Sequence, residues 1–400
     1  MIKLGIIREG KTPPDSRVPI TPKQAAQIRD NFPIEIKVMN SPNRCYSNAE
    51  YEKEGFKMVD SVADCDILMG VKEVPIDQLI ADKTYFFFSH TIKKQVYNRD
   101  LLQAVVDKNI RLIDYEVLTG PNKKRLIAFG HFAGMVGAHN GVMTYGMRTG
   151  EFSLKRLKDC HDYAEAMEIY KTLQLPAIKI VLTGTGRVGM GAKKVLEDMG
   201  IRQVGPKEFL KNNFKEAVFT QLQCRNYAAR KDDNSFEKTD FYTNPTAYKS
   251  IFAPYAAISD ILINGIYWDN AAPAFFTKEA MRTDDFNIKV IADVTCDIAP
   301  VSSIPSTLFA STIAKPIFGY DPKTEGVTEP FGENTVDMMT IDNLPNELPR
   351  DASESFGSQF IHHILHELLK EKSAILDRGT VARDGDLGKH FEYLRDYLNG

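Results

Sequence analysis

Apolar runs alternate with amphipathic stretches through residues 1–125 of the chain. Five runs have the length and the β-branched or aromatic content of buried strands, and they span residues 3–9, 34–40, 66–72, 85–90 and 111–116. Residues 21–32 predict a helix with Thr21 as its cap and Pro22 at its first position. Strands that alternate with helices predict a mostly parallel sheet. Functional residues gather at the carboxyl ends of strands in such sheets, and the polar residues found there are Arg8, Lys72, His90 and Glu116.

A second group of elements follows a helix of small residues. Residues 129–150 are rich in Gly and Ala and predict a helix that leads into a second domain. Two helical segments, around 354–372 and 387–398, are predicted near the end of the chain. The polar stretch 225–250 is long for a compact unit, and it either covers one side of a ligand site or supports an oligomer. Further strands are predicted at residues 178–183, 217–222, 260–268 and 288–295.

The glycine-rich turn at residues 184–189 is the most informative motif in the chain. It has the spacing G-x-G-x-x-G and lies between a predicted buried strand and an amphipathic helix. The first glycine permits a tight turn, the second allows a pyrophosphate to approach the backbone, and the third allows close packing of helix and strand. The N–H groups at the start of the helix face the anion. This arrangement predicts a dinucleotide site, whose contacts are Gly184, Gly186, Arg187, Val188 and Gly189.

The motifs of the second half each have a plainer alternative. A glycine turn of this kind can occur in an α/β sheet that binds no ligand. Arg187 either contacts the cofactor phosphates or is an exposed loop residue. Asp293 follows a predicted strand, and it either approaches the bound cofactor or caps the following turn.

Composition excludes several classes of function. The net charge of −3 and the scattered basic residues give no footprint for nucleic acid. No apolar run approaches the length of a membrane span, and the first residues lack the layout of a signal peptide. The five cysteines are dispersed without C-x-x-C spacing, which favours reduced thiols in the cytoplasm. A packed or solvated helix face explains three neighbouring histidines better than a metal site does: His362, His363 and His366.

Lys72 and His90 are the candidates for acid–base chemistry. Each follows a predicted strand, and neighbouring strands would bring both side chains into one cleft. Burial and nearby positive charge lower the pKa of a lysine, so that its amine can take up a proton. The alternative is an ordinary surface lysine and a hydrogen-bonded histidine. Arg17 follows a turn after the first strand and either binds a substrate carboxylate or forms a surface ion pair.

Taken in order along the chain, several motifs resemble the lysine-forming saccharopine dehydrogenases. Those enzymes are grouped with alanine dehydrogenase and the soluble part of nicotinamide nucleotide transhydrogenase. The resemblance covers most of the chain, and it is carried by GVKEVP, FFSHTIKKQ, LIDYE, RLIAFGHFAGMVGA, GTGRVGMGA, INGIYW, ADVTCD and IDNLPNELPRDAS. The last of these motifs is more similar to the saccharopine branch than to alanine dehydrogenase.

The resemblance implies an α/β fold of two Rossmann-like domains with parallel sheets, separated by an interdomain cleft. Residues 1–130 plus 325–400 are then the catalytic domain, and residues 131–324 are the dinucleotide-binding domain inserted between them. By similarity, Lys72 matches the catalytic base and His90 the acid–base group that serves water addition. The positions that match substrate-binding residues are Arg17, Lys11, Glu73, Lys93, Glu116 and Arg125.

The implied activity is oxidoreduction of an amino acid with a nicotinamide cofactor, through a secondary amine of the lysine-plus-2-oxoglutarate type. The alternatives are deamination of a simpler amino acid, as in alanine dehydrogenase, and a homologue that binds ligand without catalysis. NAD is the expected cofactor, but the family's acidic ribose-binding residue is replaced here by Gln223, Cys224 and Arg225. An arginine there can accommodate a 2′-phosphate, so NADP also stays open. No metal is expected, and both a monomer and a homo-oligomer fit the sequence.

Overall fold

The computed structural model describes all 400 residues. They form two compact units, one from residues 1–129 together with 349–400 and the other from residues 130–348. The sequence predicts that residues 325–348 belong with the first unit, whereas the structure includes them in the second. The reason is strand pairing, because Val336–Met339 lies within this stretch and is hydrogen-bonded into the sheet of the second unit.

The strands and helices follow the alternation that the sequence predicts, and the α/β fold class is confirmed. The strands are β1 (Ile2–Ile6), β2 (Ile34–Met39), β3 (Met58–Val59), β4 (Ile67–Met69), β5 (Thr84–Phe87), β6 (Arg111–Asp114), β7 (Lys179–Thr183), β8 (Arg202–Gln203), β9 (Val218–Leu222), β10 (Ala228–Arg230), β11 (Tyr248–Ser250), β12 (Ile261–Asn264), β13 (Val290–Asp293), β14 (Ile317–Asp321), β15 (Gly326–Thr328), β16 (Val336–Met339), β17 (Thr380–Arg383) and β18 (Asp386–Leu387). The helices are α1 (Pro22–Asn31), α2 (Asn48–Lys53), α3 (Arg99–Asp107), α4 (Gly130–Thr149), α5 (Tyr163–Tyr170), α6 (Arg187–Asp198), α7 (Pro206–Lys211), α8 (Cys224–Tyr227), α9 (Lys238–Thr243), α10 (Ala253–Ala256), α11 (Pro349–Phe360), α12 (His366–Leu368), α13 (Ala374–Gly379) and α14 (Arg395–Asn399).

The first unit is built on an eight-stranded sheet in the order β18-β17-β6-β5-β4-β1-β2-β3. Strands β1 to β6 run parallel to their neighbours, and β17 and β18 close one edge in the antiparallel direction. The chain leaves β1 towards β2 on one side and later returns to β4 on the other side. The carboxyl ends of β1 and β4 therefore flank the topological switch point, where open α/β sheets bind ligands.

Helix α1 begins as the sequence predicts. Thr21 is its N-cap, Pro22 occupies the first turn, and Thr21 forms a reciprocal capping box with Gln24. The Gln24 amide also donates to the carbonyl oxygen of Glu354 at 2.7 Å and to Ser358 Oγ at 3.1 Å. These bonds attach α1 to α11 and so tie the last part of the chain to the first.

The end of the chain differs from the sequence-based expectation. Helix α11 begins before the first segment predicted as helical, 354–372, and its π-helical continuation, Ile361–Leu365, lies within that segment. The second segment, 387–398, contains the end of β18 and only part of a short helix, α14. The reason is strand pairing, since β17 bonds to β6 and the chain then turns back into β18. Gly385 in this turn has a φ of +72°, which an L side chain rarely adopts.

The second unit has its own eight-stranded sheet, in the order β15-β14-β16-β13-β12-β7-β9-β8. Its central strands are parallel, whereas β14 runs antiparallel to both β15 and β16. Strand β7 is bordered by β9 on one side and by β12 on the other, so the switch point lies at its carboxyl end. Residues 201–216, between α6 and β9, contribute the short edge strand β8 and helix α7.

Glycines allow helices α4 and α6 to pack backbone to backbone. A Cβ atom on Gly134 of α4 would lie 1.9 Å from the carbonyl oxygen of Val188. A Cβ atom on Gly191 of α6 would lie 1.9 Å from the carbonyl oxygen of His131. Neither site tolerates a side chain without movement of a backbone. The small residues of α4 therefore serve to hold the start of α6 in place.

The helices, cysteines and histidines of the structure decide whether it contains membrane-spanning helices, disulfides or metal-binding clusters. None of the helices combines the length and the apolar character that a bilayer crossing requires. All five cysteines are unpaired. The ring of His366 packs edge-on against Phe32, with the two centroids 5.2 Å apart, and His362 contacts His363. No group of three or more His, Cys, Asp or Glu side chains is arranged to hold a metal ion.

Candidate active site

The carboxyl ends of four strands bring the predicted catalytic and substrate residues to one edge of the first sheet. Strands β4 and β5 pair directly, so Lys72 and His90 follow neighbouring strands. The other strand ends on this edge belong to β1 and β6. The candidate residues that follow β1, β4, β5 and β6 are, in that order, Lys11 and Arg17, Lys72 and Glu73, His90 and Lys93, and Glu116 and Arg125.

Glu9 anchors the loop that carries Lys72. Its carboxylate accepts the backbone N–H of Val71 at 2.6 Å and that of Lys72 at 2.9 Å. Burial, together with the negative charge of Asp15, raises the pKa of Glu9 to about 8, so this group holds a proton near neutral pH. The sequence pattern pointed to Arg8 instead. Arg8 is exposed, whereas the carboxyl group of the next residue bonds to the backbone of the loop after β4.

The Lys72 amine has the electrostatic setting that the sequence argument requires. Burial lowers its pKa and the positive charge of Arg17 lowers it further, while the charge of Glu73 opposes the shift. A lysine in such a setting gives up its proton more readily than an exposed lysine. Its neutral amine can therefore act as a base.

Glu73 joins Lys11 and His90 into one hydrogen-bonded group. Its Oε2 accepts a hydrogen bond from Lys11 Nζ at 2.8 Å, and its Oε1 lies 2.6 Å from His90 Nδ1. Burial works against ionisation of Glu73, but the hydrogen bond and charge of His90 outweigh it and lower the pKa of Glu73 to about 2. An ionised carboxylate only accepts hydrogen bonds, so His90 Nδ1 carries a proton and Nε2 is the atom left to exchange protons.

A buried carboxylate organises the ends of β5 and β6. His90 has a φ of +54°, a left-handed conformation that is uncommon outside glycine and needs support from its surroundings. Asp114 accepts the Ser89 backbone N–H at 2.9 Å and the Ser89 hydroxyl at 2.6 Å. It also accepts the Glu116 backbone N–H at 2.7 Å. One side chain therefore holds both Ser89, which precedes His90, and the backbone of Glu116 itself.

A second charged group lies around Glu116. Its Oε1 is 3.8 Å from Lys93 Nζ and 3.7 Å from Arg125 Nη1, and its buried Oε2 accepts no hydrogen bond from the protein. The Arg125 guanidinium lies 5.4 Å from the centroid of the Phe88 ring. The same ring stacks on His90, with the centroids 6.4 Å apart. Phe88 thus connects this group with the one that contains His90.

Arg17 is placed differently from either sequence-based alternative. It is only 3% exposed, and it makes a two-point contact with Asp15, from Nε at 2.9 Å and from Nη2 at 2.6 Å. Its guanidinium also lies 4.3 Å from the centroid of the Phe129 ring. This is a buried ion pair rather than a surface pair, and the fork of the guanidinium faces a carboxylate of the protein itself. The positive charge of Arg17 therefore acts on Lys72 by lowering the pKa of its amine.

The glycine turn of the second unit has the geometry that a pyrophosphate requires. Gly184 has a φ of +94°, and a Cβ atom there would lie 2.4 Å from the carbonyl oxygen of Gly265. A Cβ atom on Gly189 would lie 2.1 Å from the carbonyl oxygen of Gly184. No atom lies within 4 Å of a Cβ atom on Gly186, the N-cap of α6. The first and third glycines therefore permit close packing, and the second leaves open space for an anion beside the helix N-terminus.

The first turn of α6 presents two further candidates. Arg187 is exposed and directly follows the open position at Gly186. Val188 is half-buried, and its carbonyl oxygen faces Gly134 of α4. The side chain of Arg187 is therefore the one that lies on the solvent side of the glycine turn.

The expectation that Asp293 contacts the cofactor is corrected by its surroundings. Its side chain is fully buried, and Oδ1 accepts hydrogen bonds from Asn264 Nδ2 at 2.9 Å and from the Cys296 N–H at 3.3 Å. Oδ2 accepts the Thr307 hydroxyl at 2.6 Å. Burial raises the pKa of Asp293 to about 6. These contacts agree with the turn-capping alternative, because both oxygens are used by the protein.

Three carboxylates of the first unit escaped the sequence-based selection. They are Glu9, Asp15 and Asp114. Glu9 and Asp114 lie within apolar runs that predict strands, at 3–9 and 111–116. A carboxylate inside such a run is itself a signal, because a buried charge needs a partner.

The comparisons with known proteins point to one group of dehydrogenases. Residues 5–136 match the family model of the alanine dehydrogenase/PNT N-terminal domain. The chain is 25% identical over 403 residues to the saccharopine dehydrogenase (NAD+, L-lysine-forming) of Yarrowia lipolytica. The alignment covers 96% of this chain and 97% of that enzyme. Over 414 residues it is 27% identical to the mitochondrial alpha-aminoadipic semialdehyde synthase of Rattus norvegicus, which covers 94% of this chain. The chain spans only 44% of the length of that synthase.

Two solved structures share the fold. An L-alanine dehydrogenase aligns over 100% of this chain and 99% of its own, with a TM-score of 0.67 and 16% identity. A transhydrogenase from Sinorhizobium meliloti aligns over 96% of this chain and 98% of its own, with a TM-score of 0.56 and 13% identity. These two structures show the fold of the chain, and the resemblance found in the sequence is confirmed by the family model and the saccharopine dehydrogenase relatives.

Proposed function

We propose that this chain is a nicotinamide-dependent oxidoreductase of amino acids, which cleaves or forms a secondary amine of the lysine-plus-2-oxoglutarate type. The observation that carries the proposal is the sheet edge where Lys72, with its lowered pKa, accompanies the Glu73–His90 pair. Oxidation of an amine followed by hydrolysis requires a base and a separate group that exchanges protons with water. The similarity to saccharopine dehydrogenases along nearly the whole chain supports the same activity.

Lys72 acts first in the oxidative direction. Its neutral amine takes the proton from the secondary amine of the substrate while a hydride leaves the adjacent carbon, and a C=N bond forms. A bound nicotinamide supplies the acceptor for that hydride. The bond from the Lys72 N–H to Glu9 fixes the backbone, so the side chain starts from a defined position.

His90 acts in the hydrolysis that follows. As water adds to the C=N bond, Nε2 accepts a proton from the water and passes it to the nitrogen. The C–N bond then breaks as the hydroxyl proton passes through His90 Nε2 to the departing nitrogen, and the amine and the oxo acid are released. Glu73 keeps the proton on Nδ1 throughout, because its own pKa of about 2 leaves it ionised at neutral pH.

Substrate carboxylates meet the cations around Glu116. Lys93 and Arg125 lie 3.8 Å and 3.7 Å from Glu116 Oε1, which is longer than a direct hydrogen bond, so a substrate carboxylate can compete for both. In this scheme Arg17 acts through its charge, which adds to burial in lowering the pKa of Lys72.

Gly186 at the N-terminus of α6 would hold the cofactor pyrophosphate on its open side, with the Arg187 side chain beside it. The fit rests on the lack of any atom within 4 Å of a Cβ atom on Gly186. At the end of β9, where an acidic residue would hold the ribose, the chain has Gln223, Cys224 and Arg225. We propose NAD as the cofactor and NADP as an acceptable substitute, because Arg225 can pair with a 2′-phosphate.

The test follows the absorbance of NADH or NADPH with three substrate mixtures. The mixtures are lysine with 2-oxoglutarate, other amines with 2-oxoglutarate, and ammonia with pyruvate. We expect cofactor oxidation with lysine and 2-oxoglutarate. Oxidation with ammonia and pyruvate alone would make the chain a deaminating dehydrogenase instead. If no mixture oxidises the cofactor and calorimetry shows no nucleotide binding, the oxidoreductase assignment is refuted.

A lysine pair sharpens the test. Lys72→Met should lower kcat at least ~100-fold, the usual scale for an acid–base group, while nucleotide binding stays unchanged. Lys57→Met is the matched control, because Lys57 is an exposed lysine of the same unit and should retain the parental rate. A Lys72→Met enzyme with a nearly normal kcat would remove Lys72 from the mechanism.

A further inference from the structure

Two buried hydroxyl groups flank His90 in the chain. Ser89 and Thr91 are the residues directly before and after it, and both are fully buried. Their side-chain oxygens lie 2.7 Å apart, and the Thr91 backbone N–H donates to Ser89 Oγ at 3.3 Å. Burial of a hydroxyl is costly unless the group makes hydrogen bonds. The proposed reaction gives neither hydroxyl a role, although both adjoin the residue that exchanges protons with water.

The direction of each hydrogen bond follows from the protons that are present. The Ser89 hydroxyl donates its one proton to Asp114 Oδ2 at 2.6 Å, where the Ser89 backbone N–H also donates at 2.9 Å. Ser89 Oγ therefore accepts from the Thr91 hydroxyl, since it has no second proton to give. The bonds run in one direction, from Thr91 through Ser89 to Asp114, and we call these three side chains the hydroxyl chain.

The hydroxyl chain restrains the backbone at His90. A non-glycine residue keeps a left-handed φ, here +54°, only where its surroundings hold it. A 3₁₀ turn, Thr91–Lys93, starts directly after His90, and the Lys93 N–H donates to the His90 carbonyl oxygen at 3.2 Å. On each side of His90 the adjoining side chain is bonded into the hydroxyl chain. Loss of either hydroxyl therefore removes one of the restraints that hold this conformation.

The position of the His90 ring depends on this backbone. Its Nδ1 lies 2.6 Å from Glu73 Oε1, and the two residues come from different loops, after β5 and after β4. The Phe88 N–H donates to the Val71 carbonyl oxygen at 3.0 Å, which joins the two loops where they leave the sheet. Beyond that bond, the backbone conformation of His90 sets where its ring meets Glu73 and where Nε2 lies.

We infer that Ser89 and Thr91 are positioning residues of the proposed reaction, which hold the His90 ring on Glu73 for the addition of water to the C=N bond. The inference rests on the proposed function, because it assigns these hydroxyls to one of its two steps. Both residues are fully buried, so they act through His90 and not on the substrate. Loss of a hydroxyl should slow hydrolysis and leave hydride transfer, which depends on Lys72, unchanged.

Stopped-flow kinetics with NAD and the secondary amine of lysine and 2-oxoglutarate separates the two steps. The first turnover of NADH formation reports hydride transfer, and a fall in the steady-state rate alone reports slower hydrolysis. In Thr91→Val, where a methyl group of similar size replaces the hydroxyl, the first turnover should keep its rate. The steady-state rate should fall about 10- to 100-fold, because a displacement of about 1 Å costs up to roughly 100-fold. Ser89→Ala should behave in the same way, and equal slowing of both phases would overturn the inference.

Two further variants serve as controls. Thr91→Ser keeps the hydroxyl and should have the parental steady-state rate. Thr144→Val removes an equally buried hydroxyl of the second unit, which donates to the Asn140 carbonyl oxygen at 2.6 Å, and should leave both phases unchanged. A Thr91→Ser enzyme as slow as Thr91→Val would contradict the inference, since the hydroxyl would then not be the group that matters.

The imidazole gives a readout that needs no turnover. Nitrogen NMR of the full-length protein with isotope-labelled histidine shows the Nδ1–H form of His90, identified by its loss in His90→Gln. We expect this signal to change in Ser89→Ala and Thr91→Val and to stay in place in Thr144→Val. If no substrate mixture is turned over and the signal changes as expected, the proposed function fails and the positioning of the ring stands. If every variant has parental kinetics and an unchanged signal, the inference is wrong and the proposed function stands.

Discussion

Replacing Gly186 with alanine should weaken dinucleotide binding without disturbing the fold. The added methyl group meets no protein atom within 4 Å, and the backbone φ of −82° is ordinary for an L residue. Alanine is a poorer N-cap than glycine, but it also lowers the freedom of the unfolded chain. These opposing effects should keep the change in the free energy of unfolding within about 0.5 kcal/mol.

The same methyl group occupies the space through which a pyrophosphate approaches the N-terminus of α6. Holding the anion back by one hydrogen bond to a charged group costs about 1.5–3 kcal/mol, which corresponds to an affinity roughly 10- to 150-fold weaker. The affinity is measured by calorimetry with NAD and NADP, and the free energy of unfolding by chemical denaturation. An alanine variant that folds normally and binds both dinucleotides as tightly as the parent would refute this account of the glycine turn.

Two other glycine-to-alanine changes serve as controls. Gly205 is also an N-cap with open space around its Cβ position, at helix α7, so Gly205→Ala should change neither stability nor affinity. Gly134→Ala, unlike Gly186→Ala, should lower the free energy of unfolding. Its Cβ atom would lie 1.9 Å from the carbonyl oxygen of Val188, and overpacking of this kind destabilises by at least about 1–3 kcal/mol.

Three carboxylates give further expected outcomes. Glu73→Gln removes a group whose folded-state pKa of about 2 lies below its ordinary value of 4.5, so the stability it contributes is present above that value. In acid denaturation, the difference in the free energy of unfolding between parent and variant should become smaller as the pH falls towards the folded-state pKa. Glu9 is the reverse case, because its folded-state pKa is about 8 and its contribution is lost as the pH rises. The stability of Glu9→Gln relative to the parent should therefore improve between about pH 5 and pH 9, and a flat difference would contradict the assigned burial. Asp293→Asn should lower the free energy of unfolding by about 1–3 kcal/mol in urea, because an amide cannot accept all the bonds of that buried carboxylate. An unchanged midpoint of unfolding would show that these bonds contribute nothing.

Much of the fold could be predicted from local patterns. The apolar runs give the central parallel strands, and the Thr21–Pro22 pair marks the start of α1. The antiparallel edges were missed, because β14 to β18 are short and their pairing depends on strands far away in the sequence. The domain boundary was misplaced for the same reason, since β16 lies between turn-rich segments that read as loops.

In the candidate site, too, local patterns could be predicted and contacts between distant residues could not. The polar residues at strand ends included Lys72 and His90, and the structure shows that the two strands they follow are neighbours. It could not find the bond from Lys72 to Glu9, whose partners are 63 residues apart. The hydrogen-bond partners of Arg17 and Asp293 could not be predicted either. Both side chains are buried, and their partners are fixed by the way the chain packs around them. Whether these side chains bind ligands stays a prediction.

The first unit is assembled from two distant parts of the chain. Residues 349–400 supply the helix whose Ser353 Oγ accepts the Val18 N–H, at 2.9 Å, and the strand that covers the edge of β6. On the ribosome, the contiguous second unit is therefore complete before the first can close. Until then β6 stays an open edge, which is prone to pair with other chains. A premature stop codon near residue 348 would thus abolish the part that holds Lys72 and His90, although both residues had been translated long before.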